Sequence, residues 1–147
     1  MLAQAIKRRL SKEENQKGFT LIELLAVIVI LGIIAVIAIP LIGNVISNAK
    51  ADSDVATARQ VYDAARLYVI GEKEGVFETA GGVDVAKIIS EGYLDKIYLP
   101  STKVEITSGT VNFNGSGQLA DTAADANDAV TLNASKFSAK SVLTSKK

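Results

Sequence analysis

Apolar residues lie along this chain in three textures. From Leu21 to Gly43 they run almost without interruption, and Glu23 is the only charge between Phe19 and Asn48. About 20 apolar residues rising roughly 1.5 Å each match a hydrocarbon core of about 30 Å, so this stretch predicts a membrane-spanning helix. Farther on, Val55, Ala58, Tyr62, Ala65 and Val69 recur at intervals of three and four, while Asp52, Arg59, Asp63 and Arg66 take other sides. That spacing predicts an amphipathic helix, with Arg59 and Asp63 placed to pair one turn apart. From Thr102 onward the pattern alternates, as in half-buried strands.

The two helical textures join. Pro40 lacks the N–H that the helix ladder needs, but Leu41, Val45, Ile46 and Ala49 restore the spacing at once. With Gly32 and Gly43 nearby, a kink or local loosening at Pro40 and Gly43 is expected rather than a boundary. The helix then spans about 50 residues from Phe19, far beyond a globular average, with Gly71 as its expected stop. Glu72 to Gly82 reads as a connector, and Asp84 as the N-cap of a short helix closed by Gly92. Val104 and Ile106, then Val111 and Phe113, suggest a hairpin turning at Ser108-Gly109. Asn114 to Gly117 forms a second turn, and Val130 to Leu132 a third strand. Ala120 to Ala129 reads as a loop or frayed turn, and Val142 with Leu143 offers at most one further docked strand. The predicted fold is α+β, a long kinked N-terminal helix packed on a small antiparallel sheet.

Charge sets the topology. Lys7, Arg8, Arg9, Lys12 and Lys17 precede the apolar run against Glu13 and Glu14, and the first charge after it is Lys50. By the positive-inside rule the N-terminus stays cytoplasmic and the rest is exported. A secretory signal would carry a small-residue cleavage site after the apolar core, but Ala38-Ile39-Pro40 runs on into more apolar sequence, and the only punctuation is Gly18, ahead of the core. An ionisable group in a membrane segment is expensive and usually functional. Glu23 lies near a helix N-terminus, where the macrodipole favours a carboxylate. A cut near Gly18 would add an amine, which could meet Glu23 within one subunit or between neighbours.

Gly18-Phe19-Thr20-Leu21-Ile22-Glu23-Leu24 resembles the class III signal of the type IV pilin family, and Glu91-Gly92-Tyr93-Leu94 followed by Pro100 resembles the region where many pilins enter their sheet. The resemblance implies that a prepilin peptidase cuts between Gly18 and Phe19 and methylates Phe19, and that Glu23 positions the subunit during assembly. It divides the chain into a leader, 1–18, a membrane and filament-core half-helix, 19–49, and an exported head, 50–147. It also implies a helical homopolymer built through a platform protein and an ATPase. The subunit would be stored in the cytoplasmic membrane and displayed on the cell surface for adhesion, motility or biofilm formation. A pseudopilin of a competence or type II secretion machine is the alternative, and a monomeric anchored binding domain is a third reading that leaves Gly18 and Glu23 unexplained.

Composition narrows this further. At 147 residues there is room for one modest domain beyond the anchor. The chain has no cysteine, so no disulfide closes the exported domain. That departs from many Gram-negative pilins and tilts the expectation towards a Gram-positive source. Without the five basic and two acidic residues of 1–18, 11 Lys plus Arg stand against 14 Asp plus Glu, a poor balance for general nucleic-acid binding. Lys136, Lys140, Lys146 and Lys147 read as a solvated tail rather than a binding tip. With neither His nor Cys, the Ser-His, Cys-His and His-metal constellations are excluded, and no glycine cluster has phosphate-loop spacing. No enzyme activity, cofactor or metal is expected. Asp121, Asp125, Asn127 and Asp128 lack the spacing of a calcium loop. Tyr62 and Tyr68 read as core, and Asn114-Gly-Ser116 and Asn133-Ala-Ser135 as chance glycosylation triplets.

Overall fold

In the computed structural model, residues 1–13, 18–77, 82–121, 125 and 128–144 are described. They form α1 (Leu2–Glu13), α2 (Leu21–Glu72), β1 (Val83–Asp84), α3 (Val85–Ser90), β2 (Gly109–Val111), β3 (Val130–Leu132), β4 (Ser135–Phe137) and α4 (Ala139–Thr144). The chain divides into two compact units, Met1–Asn44 and Val45–Lys147.

Within the first unit, α2 is apolar on every side. Large side chains all round it are exposed, among them Leu21, Ile28, Ile34, Ile37 and Leu41. A helix without a polar face needs an apolar surrounding, either lipid or other helices. The helix passes through Pro40 and Gly43 without interruption, so neither residue ends it. Pro40 still deprives the Val36 carbonyl of its helical donor, a defect that the ladder on either side tolerates.

In the second unit, α2 is one wall of a core. Val55, Ala58, Tyr62, Ala65 and Val69, the predicted face, are all buried, and Val61, Ala64 and Tyr68 join them. Arg59 and Asp63 form the expected pair at 3.4 Å on the exposed side. Four antiparallel strands in the order β1-β2-β3-β4 make the opposite wall. Val83 faces Val111, Val111 faces Val130, and Val130 faces Phe137, giving a row of apolar side chains across the sheet. Ile88 of α3 and Val142 of α4 are fully buried in the same core. Tyr62 stacks against Phe113 at 5.7 Å, and Tyr68 meets Tyr93 edge-on at 5.5 Å, so both helix tyrosines are core residues.

Helix ends follow local chemistry. The Asp84 carboxylate accepts from Ala86 N at 2.9 Å and caps α3. At its other end Tyr93 N donates to Ile88 O and Gly92 N to Ile89 O, with Gly92 at φ 80°, a Schellman stop. The expected stop of α2 is displaced. Gly71 lies inside the helix, and the chain leaves it through Glu74 and Gly75, at φ 51° and 76°. Gly71 is instead a contact point, because a Cβ there would collide with the Tyr93 hydroxyl. That hydroxyl donates to Glu72 Oε1 at 3.0 Å.

The strand partners differ most from expectation. Residues 104–106 pair back onto 97–99 through Leu99 N to Val104 O and Ile106 N to Ile97 O, both 2.9 Å. Gly109 is not a turn residue but the first residue of β2, opposite Leu132. Ser135–Phe137 is the fourth strand, whereas Val142 and Leu143 lie in α4. The turn at Asn114 is present, closed by Gly117 N donating to Asn114 O at 2.9 Å.

Candidate functional site: the N-terminal junction

Gly18, Phe19 and Thr20 lie directly ahead of α2, outside any helix or strand. A Cβ added at Gly18 would meet nothing within 4 Å, so the fold itself imposes no glycine there. Phe19 is 84% exposed, which leaves the junction and its first apolar side chain accessible.

Glu23 is organised by Thr20. Its Oε2 accepts from Thr20 N at 2.7 Å and from Thr20 Oγ1 at 2.8 Å. Glu23 N in turn donates to Thr20 Oγ1 at 3.3 Å, and Leu24 N donates to Thr20 O at 3.2 Å. Thr20 is therefore the N-cap and Glu23 the N3 residue of a capping box, which satisfies backbone donors reciprocally at the start of the helix. Thr-Leu-Ile-Glu is the legible sequence form of that device, although the helix dipole, a future amine and the family resemblance point to other roles for Glu23. The carboxylate also has a task inside the single subunit. It keeps polar groups paired where an apolar helix begins.

Structure places the other sequence candidates elsewhere. Pro40 and Gly43 lie within α2, and a Cβ at Gly43 would meet open space. Asp121 Oδ1 accepts from Ala129 N at 3.2 Å and Ala139 N at 2.9 Å, tying β3 to the start of α4. Asp125 pairs with Lys136 at 2.7 Å, so Lys136 is engaged rather than part of a free basic tip. Glu14, Lys17, Asn127, Lys146 and Lys147 lie outside the described residues. No group of three metal-ligating side chains comes together among the described residues. In the triplet Asn133-Ala-Ser135, the Asn133 carboxamide accepts from Thr107 N and Ser108 N and donates to Glu105 O, so it is committed to the fold.

Residues 15–39 match the family described as the prokaryotic N-terminal methylation motif, a match that contains the whole junction and its capping box. Over 102 residues, 67% of this chain and 60% of the relative, the sequence is 30% identical to the type IV major pilin protein PilE of Neisseria gonorrhoeae. The chain carries the N-terminal methylation motif and is similar to type IV pilins. It is also 31% identical over 67% of its length to a fimbrial protein of Neisseria meningitidis, covering 59% of that protein. With the type IV major fimbrial protein FimA of Dichelobacter nodosus it shares 42% identity over 60 residues, 41% of this chain and 38% of the relative. The chain thus spans between 38% and 60% of the length of these pilins. No solved structure matches. The expectation of a Gram-positive source finds no support in these relatives.

Proposed function

We propose that the chain is a structural subunit of a type IV pilus. In this reading it is held in the membrane as a precursor, cut between Gly18 and Phe19, methylated at Phe19 and polymerised through the apolar half of α2. The observation that carries this is the methylation motif at residues 15–39 set against a helix whose apolar residues are exposed on every side. One surface cannot stay bare in water, and lipid before assembly and neighbouring helices after it both cover it. The names of the relatives, major pilin and fimbrial proteins, favour a filament subunit over the pseudopilin alternative. Prepilin peptidase, platform protein and ATPase are the partners this reading requires, with the N-terminus cytoplasmic by the positive-inside rule.

Gly18→Val tests it. Because the folded chain leaves room at Gly18, the variant should insert and fold normally. Full-length precursor should then accumulate in the membrane, while wild-type protein yields N-methylated Phe19 by mass spectrometry and surface filaments by electron microscopy. A normally processed Gly18→Val subunit would overturn the proposed cut.

A further inference from the structure

The leader is more than a polar extension. Residues 2–13 form α1, a helix of 12 residues. At about 100° per residue, the spacing puts positions Leu2, Ala3, Ile6 and Leu10 within a sector of roughly 100°, with Glu13 also inside it and Arg9 at its edge. Lys7, Arg8 and Lys12, with Gln4 and Ser11, take positions on the remaining side. Leu2 is 80% exposed and Ile6 54% exposed, so these two apolar side chains are open. A short helix with an apolar stripe and a cationic back suits an interface between water and acidic lipid headgroups.

We infer that α1 is an interfacial helix that lies on the anionic membrane surface and holds the leader flat against it. The inference rests on the membrane reading of α2. Two observations select lipid as the occupant. The charge complements an anionic leaflet, where each basic side chain near the surface strengthens adsorption roughly fivefold. Glu13 also lies only a few residues before the membrane helix begins at Leu21, so even an extended connection keeps α1 within roughly 30 Å of the bilayer. Tethering at that distance makes a weak surface affinity effective. With α1 adsorbed, Gly18 and Phe19 are held at the membrane surface, where a membrane-embedded peptidase would meet them. Cutting the chain removes the tether, and the short helix then depends on its own weak affinity.

The natural chain contains no tryptophan, so a single introduced one reports its own environment. Full-length Ile6→Trp would be reconstituted into phosphatidylcholine vesicles with and without phosphatidylglycerol, and flotation would first establish that the protein is in the bilayer. The introduced indole should emit at shorter wavelength and be quenched by brominated lipid in the anionic vesicles. Both effects should fade at about 0.5 M salt, where the Debye length shrinks to a few ångströms. An indole placed instead by Gln4→Trp, on the opposite side of α1, should stay water-exposed. Adding Lys7→Glu and Arg8→Glu to Ile6→Trp should release its indole from the surface. A protein that floats with the vesicles while the Ile6→Trp indole remains water-exposed would overturn the inference and leave the membrane span intact. Equal, salt-insensitive burial in both vesicle types would overturn its electrostatic basis, and failure to float would instead overturn the membrane reading of α2.

Discussion

Asn133 ties together the margin of the sheet where β2 begins and β3 ends. It sits at φ 52°, a left-handed conformation that asparagine tolerates better than most residues. From there its Oδ1 accepts from Thr107 N at 3.2 Å and Ser108 N at 3.3 Å, while Nδ2 donates to Glu105 O at 3.0 Å. Its own N donates to Ser108 O at 2.8 Å. The segment 105–108 is thus wrapped around one side chain, which is why it does not form the turn that Ser108-Gly109 suggested. Asn133→Ala would leave those amides without a partner and strain the backbone, for an expected loss of about 2–3 kcal/mol in chemical denaturation. Asn133→Gly should recover the conformational part only. If Asn133→Ala unfolds at the wild-type denaturant midpoint, the carboxamide is not holding this edge.

At the scale of elements, α2 and α3 are announced by the sequence, whereas α4 falls where at most a strand is expected and the strand partners are not announced. Val55, Ala58, Tyr62, Ala65 and Val69 announce their face because helical spacing is local, and all five are buried. Alternation in Val104 to Phe113 tells which side of a strand is apolar but not which strand lies beside it, since pairing is decided by distant residues. Gly109 illustrates this: its missing Cβ matters because the carbonyl of Thr131, far along the chain, occupies that space. The capping box is written in Thr20 and Glu23, and the stripe of α1 in Leu2, Ile6 and Leu10, but the adjacent methylation motif points to other roles for these residues. Pro40 does not end the helix, as its flanking apolar spacing predicts. We expect it to be a weak point instead. Proline costs about 3 kcal/mol relative to alanine in a helix interior, so Pro40→Ala should slow amide exchange around residues 36–44 by at least roughly tenfold. Unchanged exchange in the detergent-solubilised variant would remove Pro40 as a weak point.

For the whole molecule, charge enters in two places. In the second unit, the Lys136 ammonium is raised above the usual lysine range by its bond to Asp125, the Tyr93 hydroxyl is raised by donating to Glu72, and Lys87 is raised by its hydrogen bond with Tyr68. In each case the folded protein holds its proton more tightly than the unfolded chain. These contributions are therefore complete at neutral pH and are lost as pH rises through the tyrosine and lysine range. With no histidine, the melting temperature should stay nearly flat from about pH 6 to 9 and fall above about pH 10, with Tyr93→Phe reducing the alkaline slope. A melting temperature that holds constant to about pH 11 would contradict this. In the apolar half of α2 the one charge is Glu23. Its Oε2 carries both Thr20 bonds, and among the described residues Oε1 has no hydrogen-bond partner. One carboxylate can therefore cap its own helix and still accept the amine of Phe19, its own or a neighbour's, after cleavage. Glutamine keeps the cap, because its amide oxygen also serves at N3 of a capping box, but it cannot neutralise an amine. Leucine loses both functions, and Thr20→Ala weakens only the cap. If assembly depends on the charge pair, Glu23→Gln and Glu23→Leu should both be cleaved, remain in the membrane and give few sheared filaments, while Thr20→Ala should polymerise nearly as well as wild type. Abundant filaments from Glu23→Gln, with no wild-type copy to co-assemble, would show that capping alone is what assembly requires.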